Sequence, residues 1–192
     1  MKKIIAIFVI GFVVILAAGG VVYYLKFYQE TPPVNNENQN VPVVTVTNFE
    51  ECVAAGNPVM ESYPRQCRAG EKNFTEYIGN ELEKTNLIRI DSPRPNTIIV
   101  SPLEISGQAR GTWYFEASFP VKLLDGNGNN IPLSPPYIMT TAGWMTENFV
   151  PFRATLEFTA PTTDTGTLVL EKDNPSGLPE NDDSLIVPVR FR

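Results

Sequence analysis

From Leu87 to Arg192 apolar and polar residues alternate with a period of two, which restricts this half of the chain to strands with one buried face. Phe115, Ala117, Phe119, Val121 and Leu123 fall on one side, with Glu116, Ser118 and Lys122 on the other. Phe152, Ala154, Leu156, Phe158 and Ala160 alternate with Arg153, Thr155, Glu157 and Thr159 in the same manner. Leu103 and Ile105 oppose Glu104 and Ser106, and Leu185, Val187, Val189 and Phe191 oppose Pro188, Arg190 and Arg192. Such strands need a second sheet over their apolar face, so the expected fold is an all-β sandwich spanning 85–192. Pro188 on the outward face predicts that the last strand is an edge or carries a bulge, because proline donates nothing to a ladder.

The N-terminus obeys a different rule. Ile4 to Leu25 carries no charge, and as a helix it would be about 33 Å long, enough to cross a ~30 Å hydrocarbon core. Lys2 and Lys3 hold the N-terminus inside, while Tyr23, Tyr24, Phe27 and Tyr28 stand where interfacial aromatics belong on the far side. Residues 1–28 are therefore expected to be a single transmembrane anchor, with everything after Lys26 extracytoplasmic and the protein resident in the cell membrane. A cleaved signal peptide is the competing reading, but its apolar region is shorter and Ala17-Ala18-Gly19 is a poor cleavage site. Residues 29–46, rich in Asn, Gln, Pro and Glu and without an aromatic, read as a polar linker.

Residues 47–84 hold both cysteines, Cys52 and Cys67. Outside the membrane two such cysteines are expected to pair, stabilising a unit too small to own a core by about 3 kcal/mol. Thr47 or Asn48 can cap a short helix running through Cys52 to Ala55, with Glu50 and Glu51 in its first turn, and Gly56-Asn57-Pro58 stops it. Glu81 to Lys84 reads as a polar hinge into the sandwich.

Composition excludes several functions. The chain has no histidine, which removes Ser-His-Asp and Cys-His nucleophile activation and most zinc and iron sites. A net charge of −6 leaves no electrostatic footprint for nucleic acid. No catalysis, cofactor or bound metal is expected.

The run Ser92-Pro93, Val100-Ser101-Pro102-Leu103, Gly107, Ala109, Trp113, Phe115-Glu116 and Asp125-Gly126 continues through Phe152-Arg153-Ala154-Thr155-Leu156 to Val187-Pro188-Val189. Over about 87–192 this pattern resembles the immunoglobulin-like domain of bacterial spore germination proteins, the type attached to GerMN domains. The resemblance implies an immunoglobulin-like sandwich outside the cytoplasm, with a binding or scaffolding role and no catalytic residues to transfer. The chain differs from that context in carrying the two-cysteine segment where a GerMN domain would stand.

Three places invite a functional reading. Asp125 to Asn130 sets side-chain oxygens at alternate positions, as a calcium loop does, but Asn130 replaces the sixth-position glycine and Pro136 the twelfth-position glutamate, so a hairpin turn is the expectation. Glu180, Asp182 and Asp183 form an acidic tip that reads as a solvated loop. The connection from Pro132 to Pro151 is rich in large apolar residues, and Tyr137, Trp144, Met145 and Phe149 are its candidate binding surface for an envelope protein or polysaccharide. The plain alternative is that these side chains fold over an open end of the sandwich.

Overall fold

The computed structural model describes residues 45–192; the anchor expected over 1–28, and the linker over 29–46 apart from its last two residues, lie outside the described residues. Among the described residues no helix is long and apolar enough to cross a membrane.

The two-cysteine segment opens with helix α1 (Phe49–Ala54). Asn48 is its cap, accepting the Glu51 amide at 2.8 Å, while the Glu51 carboxylate accepts the Thr47 amide at 2.8 Å, a reciprocal bond that satisfies two early donors. A small antiparallel sheet follows, in the order β1 (Val59–Met60), β2 (Gln66–Ala69) and β3 (Lys72–Thr75). Cys52 of α1 and Cys67 of β2 are joined by a disulfide and fully buried, with Phe49 beside them as the segment's small core.

The sandwich consists of two antiparallel layers. One is ordered β4 (Ile88–Ser92), β5 (Leu103–Arg110), β9 (Phe149–Leu156). The other is ordered β11 (Ser184–Arg190), β10 (Thr165–Glu171), β6 (Ser118–Asp125), β7 (Asn130–Ile131), with β8 (Tyr137–Met139) also paired to β6. Ile88, Ile90, Ile105, Trp113, Phe119, Leu123, Leu156, Leu168, Leu170, Leu185 and Val187 meet between the layers with almost no exposure. Each large side chain so buried is worth about 1.5–3 kcal/mol. The Phe119 ring meets Tyr114 and Phe152 edge-on at 5.1 and 5.3 Å. Trp113 is buried, and its Nε1 is the one buried side-chain polar atom among the described residues without a hydrogen-bond partner.

Pro188 does lie on an edge strand, and that edge is closed by earlier parts of the chain. Asn80 donates from Nδ2 to the Ser184 carbonyl at 2.9 Å, and its Oδ1 accepts the Ile186 amide at 2.7 Å. The Asn96 amide donates to the Pro188 carbonyl at 2.7 Å. Arg190 donates its amide to the Thr97 carbonyl at 3.0 Å and accepts from the Ile99 amide at 2.8 Å. Proline thus occupies the one outward position of β11 at which no acceptor is offered. Gly79 permits the approach: its φ is +76°, and a Cβ there would stand 1.9 Å from the Ile186 carbonyl oxygen.

Three expectations are corrected. The strand read from Phe115 begins at Ser118, because Glu116 and Ala117 take φ of 49° and 63° and close a tight two-residue turn in which Phe115 and Ser118 exchange backbone hydrogen bonds. The connection from Pro132 to Pro151 is not a loop throughout, since it contains β8 and the start of β9. Glu81–Lys84 is a short helix, α2, with Glu81 buried rather than a solvated hinge.

Two substitutions test this backbone account. Ala117→Gly should be neutral or stabilising by up to about 1 kcal/mol in urea unfolding, because left-handed backbone strains alanine and not glycine. Gly79→Ala should cost at least about 2 kcal/mol, since both its φ and the Ile186 carbonyl oppose a side chain.

Candidate functional site

The charged groups with the most defined geometry join the two-cysteine segment to the sandwich. Glu76, after β3, is buried and receives Arg65 through two bonds, Nε at 2.8 Å and Nη2 at 2.6 Å, while Asn96 Nδ2 donates at 3.0 Å. Arg94 grips the buried Glu81 in the same forked way, Nη1 at 2.7 Å and Nη2 at 3.2 Å. Tyr63 donates its hydroxyl to Glu81 and accepts from Arg94 Nη2 at 2.6 Å. Planar guanidinium forks match carboxylates in this way, and the pairing offsets the desolvation of both glutamates. The guanidinium carbons also lie over rings, Arg65 5.4 Å from the Phe49 centroid and Arg94 5.1 Å from that of Tyr63.

This cluster sets ionisation. The hydrogen-bonded Arg65 guanidinium holds Glu76 below its usual value of 4.5. Burial, followed by the hydrogen bond to Glu81, pushes the Tyr63 phenol up. Neither group is arranged for proton transfer at neutral pH, so the cluster reads as a fastening.

The four residues proposed as a binding surface separate. Trp144 is half-buried and packs against the main core, and Phe149 is half-buried between two cations, the Arg89 and Arg110 guanidinium carbons lying 4.3 and 4.2 Å from its ring centroid. Met145 stands 85% exposed in a shallow depression shared with Trp144 and Glu147. Tyr137 is exposed on β8 and has different neighbours. Strand register pairs Pro120 with Tyr137 and Ser118 with Met139, and Phe115 with Ser118 across the tight turn. Residues opposite one another share a face, so Phe115, Met139 and Tyr137 form an outward apolar row, exposed by 41, 55 and 45%. The sequence placed Phe115 in the core and counted Met139 among the large apolar residues of the 132–151 connection without including it in the candidate surface; the turn that reorients Phe115 carries no glycine or asparagine to announce it.

Beside this row lies a polar groove of about 640 Å³, lined by Lys84, Lys122, Lys172, Glu171, Asp173 and Asp183 among others. Lys84 of α2 pairs with Asp183 at 2.5 Å and so partly neutralises the acidic tip, and Lys122 pairs with Glu171 at 2.6 Å. Burial, and then the Glu116 charge, raise the Asp173 carboxyl.

Asp125 is occupied by its own turn, Oδ1 accepting the amides of Asn127 and Asn129 at 2.8 Å each and Oδ2 the Asn129 side chain at 3.1 Å. The Asn129 side chain leads in holding that carboxyl below the usual range. Among the described residues no group of three or more acidic or cysteine side chains is placed to hold a metal ion.

The Arg65–Glu76 pair fixes a pH dependence. A depressed folded pKa contributes stability above the unfolded value, and that contribution disappears as pH falls through the folded value. Glu76→Gln should therefore flatten the loss of urea stability below pH 4.5, and Arg65→Ala should destabilise by about 2 kcal/mol at pH 7.

No curated protein and no solved structure matches the chain. Residues 87–177, from just before β4 to the turn beyond β10, match the sequence model of a family described as the immunoglobulin-like domain of bacterial spore germination.

Proposed function

We propose that the protein is a membrane-anchored, extracytoplasmic immunoglobulin-like module that binds or scaffolds at the bacterial cell envelope without catalysis. The observation that carries this reading is the outward row of Phe115, Met139 and Tyr137, which strand register gathers on one sheet face, while Ile98, Val100, Met145 and Leu178 are exposed elsewhere. Exposed apolar residues gathered on one sheet face are a recurrent mark of a partner surface, whereas scattered ones are not. The uncharged stretch Ile4 to Leu25 supports the anchor, and the paired Cys52 and Cys67 are at home in an oxidising compartment.

A second reading makes the chain an accessory subunit of an envelope protein complex connected with germination. It is favoured by the family description for residues 87–177. The two readings diverge in the ligand retained, polysaccharide for the first and a stoichiometric protein for the second.

Two experiments decide. Protease added to intact cells should digest residues 45–192; protection of that region until the cells are lysed would contradict the topology. In crosslinked membranes, Phe115→Ser with Tyr137→Ser and Met139→Ser should lower recovery of the envelope partner roughly tenfold while leaving the fold within about 1 kcal/mol of the parent. Unchanged recovery would remove this face from consideration.

A further inference from the structure

The two-cysteine segment has no assigned role, and its points of attachment indicate one. Residues 76–84 run between the last strand of the sandwich and the turn that follows β4. On one side Asn80 pairs with the Ser184 carbonyl and the Ile186 amide, the Asn80 amide donates to the Ile186 carbonyl at 3.4 Å, and Lys84 meets Asp183 at 2.5 Å. On the other, Arg94 holds Glu81, and Asn96 donates from Nδ2 to Glu76 and to the Tyr77 carbonyl at 3.0 and 2.8 Å. Arg65 and Tyr63, which both lie within the disulfide-closed loop, grip the same two glutamates. Asn80 therefore does the work of a neighbouring strand with a side chain, and its position is set by charged groups belonging to both parts.

We infer that the two-cysteine segment is a latch guarding the N-terminal half of the β11 edge against strand addition. The half of β11 from Pro188 onward is covered by Asn96, Thr97 and Ile99 of the sandwich itself. The half from Ser184 to Ile186 depends on Asn80. With Asn80 withdrawn, the Ser184 carbonyl and both backbone groups of Ile186 become a bare edge beside the apolar Ile186 side chain. Open edges of this kind pair with other chains, a second copy of the same strand included. Closing them with a side-chain amide, held by ion pairs at its back, achieves without a further strand what natural sheets achieve with bulges or covering loops.

The test is amide hydrogen exchange on the intact chain, with the outer and inner amides of β11 compared. Asn80→Ala removes the acceptor and leaves the ion pairs; Arg65→Ala with Arg94→Ala opens the ion pairs and leaves Asn80. Each should speed exchange of the Ile186 amide roughly tenfold, the loss of one buried hydrogen bond, while the Val187 and Val189 amides that face β10 change less than about threefold. Both variants should also show concentration-dependent self-association by light scattering that the parent lacks. Should the double variant unfold outright, Asn80→Ala alone decides. An unchanged Ile186 amide, equal acceleration at all three amides, or variants that remain monomeric would overturn the latch.

Discussion

Because Pro188 removes one donor from β11 and every remaining outward group of that strand must still be paired, the chain commits Gly79, Asn80, Asn96, Thr97 and Ile99 to a single edge. That requirement organises much else. It demands a glycine at position 79, where the backbone passes the Ile186 carbonyl with no room for a side chain. It brings Asn80 and Asn96 to two levels of one strand, and it places Glu76 and Glu81 in the gap between them, where only a charged partner makes burial tolerable. Arg65 and Arg94 meet that need from opposite sides.

The disulfide acts at one remove from this edge. Cys52 and Cys67 close a loop with a sequence separation of 15 and create, with Phe49, a core that three residues could hardly sustain unassisted. Arg65 lies two residues before Cys67 and packs its guanidinium against Phe49, so the bridge positions the arginine that holds Glu76. Stapled unit, ion pairs and strand edge thus form a chain of dependence running from residue 48 to residue 190. Phe115, Met139 and Tyr137 are exposed beside β6, two strands in from that edge.

The parts of this arrangement visible in the sequence are those with a local period. Leu103 and Ile105 in β5, Phe119 to Leu123 in β6, Phe152 and Leu156 in β9 and Leu185 to Val189 in β11 announce their burial two residues at a time, as the structure places them. The Cys52 and Cys67 pair, the α1 cap and the edge position of Pro188 follow from equally local rules. What could not be read is long-range or runs against propensity. Asn80 meets Ile186 across 106 positions, and no pattern near either residue marks the other. Glu81 looks solvated within its own polar tetrapeptide and is buried only because Arg94 arrives 13 residues later. Glu116 and Ala117 adopt left-handed backbone that neither residue favours, which turned Phe115 from a presumed core position into part of the exposed row. Trp144 and Phe149 were legible as a cluster of aromatics but not as one packed on the core and the other enclosed by two arginines.

The central claim is that the two-cysteine segment and the sandwich are one cooperative structure joined through Glu76 and Glu81. Urea unfolding of the intact chain, followed at once by tryptophan fluorescence from the sandwich and by the rate at which a dithiol reduces the buried Cys52–Cys67 bridge, tests it most directly. Coincident midpoints are predicted. Reduction that becomes fast at urea concentrations where the tryptophan signal is still native would show a small unit that opens by itself, and would contradict the account.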